Sequence, residues 1–254
     1  MRALVGHTGF VGSNLLAAGG WDATFNSKNF RDMAGRSFDE LVCAGVSAAK
    51  WIANREPEAD RAAIAALTDV LGKARIGRFV LISTIDVYPD PASGEDESAD
   101  LADRPNHAYG RHRLELEEWV RDRHPEALVV RLPGLYGRGL KKNAIYDLLN
   151  DNQVANINPA GVFQWYGLGR LARDLETARA ARLRLVNLFT APLAMSEIIA
   201  THFPAAAVGP SRQPAPLYDL RTRHAGLFGG RGGYIESADE VRAGVAAYVA
   251  SARR

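Results

Sequence analysis

Short apolar runs alternate along the chain with longer stretches in which apolar residues return at helical spacing. The short runs predict strands at Arg2–Val5, Asp22–Phe25, Glu40–Ala44, Arg78–Ser83, Ala127–Leu132 and Arg184–Leu188. Between the third and fourth, Ala63, Leu67, Val70 and Leu71 fall on one face of a helix predicted over Asn54–Ala74. A second helix is predicted over Tyr109–Asp122, with Leu114, Leu116, Trp119 and Val120 apolar and Arg and Glu interleaved toward solvent. Strands separated by helices of this length are joined by crossovers, so the pattern predicts an α/β protein with a mostly parallel, doubly wound sheet. Beyond Leu132 the pattern loosens. Gly134, Gly137 and Gly139 lead into a predicted helix around Asn143–Asn150, and the Ala-rich stretch Ser237–Ala252 predicts a closing helix. We therefore expect one domain over 1–133 plus 184–190. Residues 134–183 and 191–254 are expected to form a C-terminal cap and the closing helix, the cap approaching the carboxyl ends of the strands, where ligands bind in open α/β sheets. Asp90–Pro105, rich in Pro, Gly, Ser and acidic residues, reads as a surface loop suited to an active-site flap.

The first predicted strand runs directly into Gly6-His7-Thr8-Gly9-Phe10-Val11-Gly12. Glycines at these positions permit a tight turn, close approach of a pyrophosphate to backbone N–H groups, and close helix-to-strand contact. Such a turn can also simply precede a buried helix. The preceding strand and the apolar Val11, Leu15 and Leu16 that follow favour dinucleotide binding, with Gly6, Thr8, Gly9, Phe10, Val11 and Gly12 as the contacts. NAD-preferring sites place an acidic residue after the second strand, on the ribose 2′-hydroxyl. Here Asn26-Ser27-Lys28-Asn29 carries none, and Ser27 with Lys28 offers a hydroxyl and an ammonium suited to a 2′-phosphate. The expected cofactor is NADP, with NAD left open.

Composition narrows the alternatives. A chain of 254 residues, 47% hydrophobic and 24% charged, can bury a large core with a second lobe against it and lies outside the disordered classes. The formal net charge of +2 gives no push toward nucleic acid or an anionic membrane, so the expected partner is a small molecule, with a homodimer left open. The single cysteine, Cys43, has no disulfide partner, and no Cys/His cluster has zinc-ligand spacing, so no metal is expected. The apolar run Ala3-Leu4-Val5 is too short for a signal peptide, and no run approaches the ~20 residues of a membrane span. A cytoplasmic location is expected.

The fourth strand leads into Ser83-Thr84-Ile85-Asp86-Val87-Tyr88, and the helix that follows opens at Tyr109 with Arg113 one turn on. The i,i+4 spacing puts both on one helix face, where a cation beside a phenol favours the phenolate that a general base requires. Thr84 offers a hydroxyl to the same reacting oxygen, and Asp86 a carboxylate to substrate. Singly, each has an ordinary structural explanation; their order after a glycine turn gives them weight.

Taken together, Gly6–Leu15 (GHTGFVGSNL), Ile82–Tyr88 (ISTIDVY), Tyr109–Glu118 (YGRHRLELEE) and Arg131–Gly137 (RLPGLYG) resemble the extended short-chain dehydrogenase/reductases, in particular the nucleotide-sugar epimerases, dehydratases and reductases. The resemblance spans Arg2 to about Leu188 and implies a Rossmann-type sheet with a small C-terminal substrate cap. It makes Tyr109 the general acid/base, Thr84 the aligning hydroxyl, Ala44-Gly45-Val46 the turn under the cofactor ribose, and Leu132 and Pro133 neighbours of the nicotinamide. One position departs from it. Arg113 stands where that family carries lysine, and arginine keeps the charge but cannot give up a proton. Dehydratases of that kind are expected to carry an acidic pair after the aligning hydroxyl, whereas Ile85-Asp86 supplies one acid.

For substrate, Arg138 and Lys141 after the fifth strand, and Arg212, Arg221 and Arg223 later, are cations suited to a nucleotide pyrophosphate. Three readings stay open: hydride transfer on a nucleotide-activated sugar, a cofactor-binding regulator that lost turnover through Arg113, and a carbonyl reductase for an apolar substrate.

Overall fold

Strands that are covered on both faces must be apolar at successive positions, and the central strands of this chain are. In the computed structural model, which describes residues 1–253, the strands of the main sheet are β1 (Arg2–Val5), β2 (Ala23–Phe25), β3 (Ser37–Cys43), β4 (Arg75–Thr84), β5 (Leu128–Leu132) and β8 (Leu185–Asn187). Ala3, Val5, Leu41, Cys43, Phe79, Leu81 and Val129 join one core cluster. Their strand neighbours Leu4, Val42, Val80 and Val130, which point to the opposite face, are equally buried.

The six strands lie in the order β2-β1-β3-β4-β5-β8. β1 pairs in parallel with both β2 and β3, and β3 in parallel with β4. The chain leaves β1 toward one side for β2 and returns to the other side for β3. The order therefore reverses between β1 and β3, and the carboxyl ends of those strands open the crevice that Rossmann-type sheets use for ligands.

β3 and β4 begin earlier than the apolar pattern predicts, because their leading residues pair at the exposed amino edge, Ser37 opposite Arg75. The helix predicted over Asn54–Ala74 is two helices, α2 (Lys50–Arg55) and α3 (Pro57–Leu71). The break falls at Pro57, which lacks an N–H and is suited to open a helix. α1 (Phe10–Ala18) follows the glycine turn, and α4 (Ala108–Arg123) follows His107, whose Nδ1 accepts from Gly110 N at 3.0 Å.

Two compact units partition the chain, the first made of Met1–Pro89, Asp100–Arg131 and Leu175–Val186, the second of the remainder. The second holds a separate sheet, with β6 (Gly134–Tyr136) parallel to β7 (Val162–Gly167) and β7 antiparallel to β9 (Pro192–Ala194). Its helices are α5 (Ala144–Asn150), α7 (Met195–His202) and α8 (Ala238–Ala252), the last opened by a reciprocal cap between Ser237 and Glu240. The partition falls within α6 (Leu171–Ala180).

These bounds differ from the predicted division in two stretches. Residues 90–99 group with the second unit, because Gly94 N donates to Asp219 O at 2.9 Å, Arg221 N donates to Glu95 O at 2.8 Å, and the Glu97 carboxylate takes Asn187 N at 2.7 Å and Thr222 Oγ1 at 2.6 Å. Residues 175–183 group with the first, where Arg179 reaches the buried Glu40 at 3.0 Å. Among the described residues no helix is long and apolar enough to cross a membrane, and no group of His, Cys, Asp and Glu is placed to hold a metal ion.

Candidate active site

Three loops of the first unit meet at the reversal of strand order. Gly6 has φ of +84°, and a Cβ there would lie 2.2 Å from Ala44 O. A Cβ on Gly12 would lie 2.0 Å from Gly6 O, and one on Gly45 2.8 Å from Val5 Cγ1. The chain's own packing therefore demands glycine at all three. Gly9 is different. Its backbone is extended, and a Cβ would meet only Gly6 O at 3.3 Å, a tight contact but far less severe than those at Gly6, Gly12 and Gly45. Gly9 is the N-cap of α1, and no side chain caps that helix. The first N–H groups of α1 thus form a positive helix end at the turn, beside exposed Thr8 and half-buried Phe10 and Val11.

The turn is tied to the end of β2, since Gly6 N donates to Phe25 O at 2.7 Å and His7 Nδ1 lies 3.0 Å from the same oxygen. Just beyond, Asn26 N donates to Asn29 Oδ1 at 2.7 Å and Lys28 N to Asn26 Oδ1 at 2.8 Å, which leaves Ser27 and Lys28 exposed at the tip. Ala44 N donates to Val5 O at 2.9 Å, so Ala44-Gly45-Val46 runs alongside. These residues fit a dinucleotide. They offer an uncapped helix end, a glycine at which a Cβ would meet a single tight contact within the chain, and a hydroxyl and ammonium after β2 with no acid among Asn26–Asn29.

Thr84 closes β4, and its Oγ1 accepts from Asp86 N at 3.2 Å. Its hydroxyl is one of the groups that favour ionisation of the Tyr109 phenol. Two features bring α4 this close. A Cβ on Gly110 would lie 2.1 Å from Asp86 O, and Asn106 Nδ2 donates to Asp86 O at 2.9 Å and to Val87 O at 3.1 Å. Beneath, the fully buried Glu117 accepts from Arg131 Nη2 at 2.7 Å and from Ser83, and Arg131 Nη1 donates to Tyr88 Oη at 2.9 Å. That network fixes the end of β4 from which Thr84 projects.

Arg113 lies beside Tyr109 on the same helix, and its guanidinium is also tied to Asp60 and Ser47. Its guanidinium centre lies 3.9 Å from the centroid of the Tyr109 ring, over the face of the ring. It donates to Asp60 Oδ1 at 2.9 Å, to Asp60 Oδ2, and to Ser47 O at 2.6 Å, while His112 Nδ1 lies 2.8 Å from Asp60 Oδ2. Burial alone would raise the Asp60 carboxyl; hydrogen bonds from Arg113 and His112 outweigh it and hold Asp60 below the usual carboxylate range. The Tyr109 phenol is not lowered. Burial is the dominant influence and pushes it above its ordinary value, against the opposing charge of Arg113, the Thr84 hydroxyl and the charge of Lys50, with Asp86 adding to the rise. The expectation of a depressed phenol is corrected on that ground: desolvation of the phenolate outweighs a cation already spent on Asp60.

The sequence reading missed Lys50, Asn54 and Asp60. Lys50 Nζ lies 2.6 Å from Asp86 Oδ1, and Asn54 Oδ1 accepts from Tyr109 N at 2.9 Å. No spacing signal relates these residues to Thr84 or Tyr109, because all three lie in the crossover before β4, whereas Tyr109 opens the crossover after it. Leu132 closes β5 with Pro133 after it, both buried. Arg138 and Lys141 are exposed residues of the second unit, after β6. Also in that unit, Trp165 and Tyr166 are core, while half-buried Phe163 stacks on Tyr218 with centroids 5.6 Å apart.

The geometry agrees with the comparisons. A sequence profile of the NAD dependent epimerase/dehydratase family matches residues 28–179, over half of the chain, and the chain belongs to that family. The match takes in Thr84, Asp86, Tyr109 and Arg113. Among solved structures, the chain is similar to TunA, a NAD dependent NDP-hexosamine 5,6-dehydratase of tunicamycin biosynthesis, at 18% identity over 98% of this chain and 96% of that one, with a TM-score of 0.74. It is also similar to MoeE5 in complex with UDP-glucuronic acid and NAD, at 19% identity over 100% and 99% of the two chains and a TM-score of 0.76. A third is the dTDP-4-dehydrorhamnose reductase of Yersinia enterocolitica, at 13% identity over 100% and 99% and a TM-score of 0.73. At these identities the likeness is one of fold. No curated protein matches the chain in sequence.

Proposed function

We propose that the chain binds NADP in preference to NAD and carries out hydride transfer at a carbon of a nucleotide-activated sugar, with Tyr109 as the proton-transfer group. The observation that carries the reading is that Thr84, at the carboxyl end of β4, and Tyr109, at the start of α4, belong to the same unit as the glycine turn after β1, with β3 paired in parallel to both strands. When bound, the nicotinamide supplies or accepts the hydride. The chain's residues do the rest. Gly6, Thr8, Gly9, Phe10, Val11 and Gly12 present backbone N–H groups to the pyrophosphate; Ser27 and Lys28 take the 2′-phosphate; Ala44-Gly45-Val46, Leu132 and Pro133 border the remainder of the dinucleotide. Thr84 aligns the substrate oxygen against Tyr109. Asp86, Arg138 and Lys141 are assigned to substrate, the two cations to its phosphates.

The raised Tyr109 phenol is protonated at neutral pH, so the resting enzyme holds an acid. Proton donation to a carbonyl oxygen as hydride reaches its carbon is reduction, and in that direction Tyr109 acts as the acid. The same locked Arg113 and raised phenol would suit a cofactor-binding regulator without turnover; nicotinamide oxidation by keto sugars separates the two.

Titration of NADPH and NADH tests the cofactor reading. NADPH is expected to bind more tightly, and Lys28→Ala to remove most of the difference by deleting one charge-assisted contact, about 1.5–3 kcal/mol or roughly tenfold and more in affinity. Equal affinities in the native protein would refute the preference. Gly9→Val is expected to fold and to lose both dinucleotides, because a Cβ there meets only Gly6 O, at 3.3 Å, within the chain and would stand where the pyrophosphate approaches; undiminished binding would remove the turn from the site.

A further inference from the structure

The cation at the expected lysine position is spent on Asp60, and a second cation reaches the site from α2. Lys50 Nζ sits 2.6 Å from Asp86 Oδ1, with the lysine side chain 39% exposed and the carboxylate 17%. One turn on, Asn54 accepts from Tyr109 N, so the Lys50–Asn54 face of α2 grips both the turn after β4 and the start of α4. Asp86 Oδ2 lies 3.4 Å from Thr84 Oγ1. The Thr84 hydroxyl is thus directed to the Asp86 carboxylate, and a Cβ on Gly110, the neighbour of Tyr109, would lie 2.1 Å from Asp86 O, which places Asp86 against the start of α4.

We propose that Lys50 is a positioning residue for proton transfer: by holding the Asp86 carboxylate it cancels a negative charge that would otherwise stand beside the Tyr109 phenol. The inference rests on the reading of Tyr109 as the acid/base. The charged and titratable groups around Tyr109 are Lys50 from α2, Asp86 from the turn after β4, Arg113 from its own helix with Asp60 of α3 behind it, and His107 at the cap, whose ring centroid is 6.3 Å from that of Tyr109. Arg113 exerts a larger direct pull on Tyr109 than Lys50 does. Arg113 is fixed by two partners, however, whereas Lys50 is paired with Asp86, a carboxylate that opposes ionisation. Loss of Lys50 leaves that carboxylate uncompensated, and a like charge of this kind disfavours a phenolate by roughly one pH unit or more.

The test uses the full-length protein carrying 3-fluorotyrosine, whose phenol ionises at lower pH, with the Tyr109 fluorine resonance assigned by its loss in Tyr109→Phe. Lys50→Met is expected to raise the Tyr109 midpoint by about one unit. Lys50→Arg should restore it, and Asp86→Asn added to Lys50→Met should abolish the rise. A merely structural lysine would give none of this pattern. An unchanged midpoint in Lys50→Met, or a rise that survives Asp86→Asn, overturns the proposal. Dinucleotide titration of the same unsubstituted sample judges the functional reading separately: no binding there rejects that reading, whatever the fluorine titration shows for Lys50.

Discussion

Replacing Arg113 by methionine is expected to lower the stability of the protein by roughly 3 kcal/mol, the usual loss when one partner of a buried ion pair is removed. The side chains of Arg113 and Asp60 are only 5% and 9% exposed, and the guanidinium spans Asp60, Ser47 O and the Tyr109 ring at once. Methionine fills the volume but leaves Asp60 with His112 alone, and it releases the loop after β3 from α4. Lysine should recover part of the loss, because one ammonium cannot reproduce a bidentate contact and the Ser47 bond together. The pH dependence follows from the lowered Asp60 carboxyl. Its contribution to native stability is present above the unfolded carboxylate value and is lost as pH falls through the lower folded value. In Arg113→Met the carboxyl has lost its main stabilising partner and protonates more readily, so the gap between the two proteins should narrow on acidification. Urea unfolding at neutral and acidic pH measures it. A gap that stays constant would mean that Asp60 and Arg113 do not interact as a charged pair.

That pair also marks the limit of what the sequence discloses. Tyr109, Thr84 and Arg113 were legible because they sit at local spacings, one helical turn or one strand end apart. Asp60, which decides what Arg113 can do, lies on α3, and Lys50 and Asn54 lie on α2; only the docking of α2 and α3 against α4 relates them. The strands were legible for a similar reason. Buried parallel strands announce themselves as apolar runs, as Leu41–Cys43 and Leu128–Val130 do. The exposed starts of β3 and β4 carry no such signal. The second unit was the least legible, since β6, β7 and β9 are short and Gly134 pairs with Trp165 across a long connection.

Tyr109→Phe is expected to reduce turnover by roughly a hundred- to ten-thousand-fold, the usual contribution of a positioned proton-transfer group, with little change in dinucleotide affinity. Phenylalanine keeps the ring on which Arg113 rests and removes only the buried hydroxyl, so the stability change should be near ~1 kcal/mol. In the reductive direction the rate should be flat across neutral pH and fall as pH rises through the raised Tyr109 value, because the acid form does the work. A profile that falls on the acidic side of neutrality would point to a different proton donor.

The most direct test supplies NADPH deuterated at the transferable position of the nicotinamide together with a series of nucleotide-activated keto sugars, and follows the label by mass spectrometry. The account predicts deuterium on a sugar carbon with the native protein, and very little with Tyr109→Phe although that variant still binds the dinucleotide. Label that stays on the dinucleotide while nucleotide sugar is bound, or transfer that Tyr109→Phe does not slow, would contradict it.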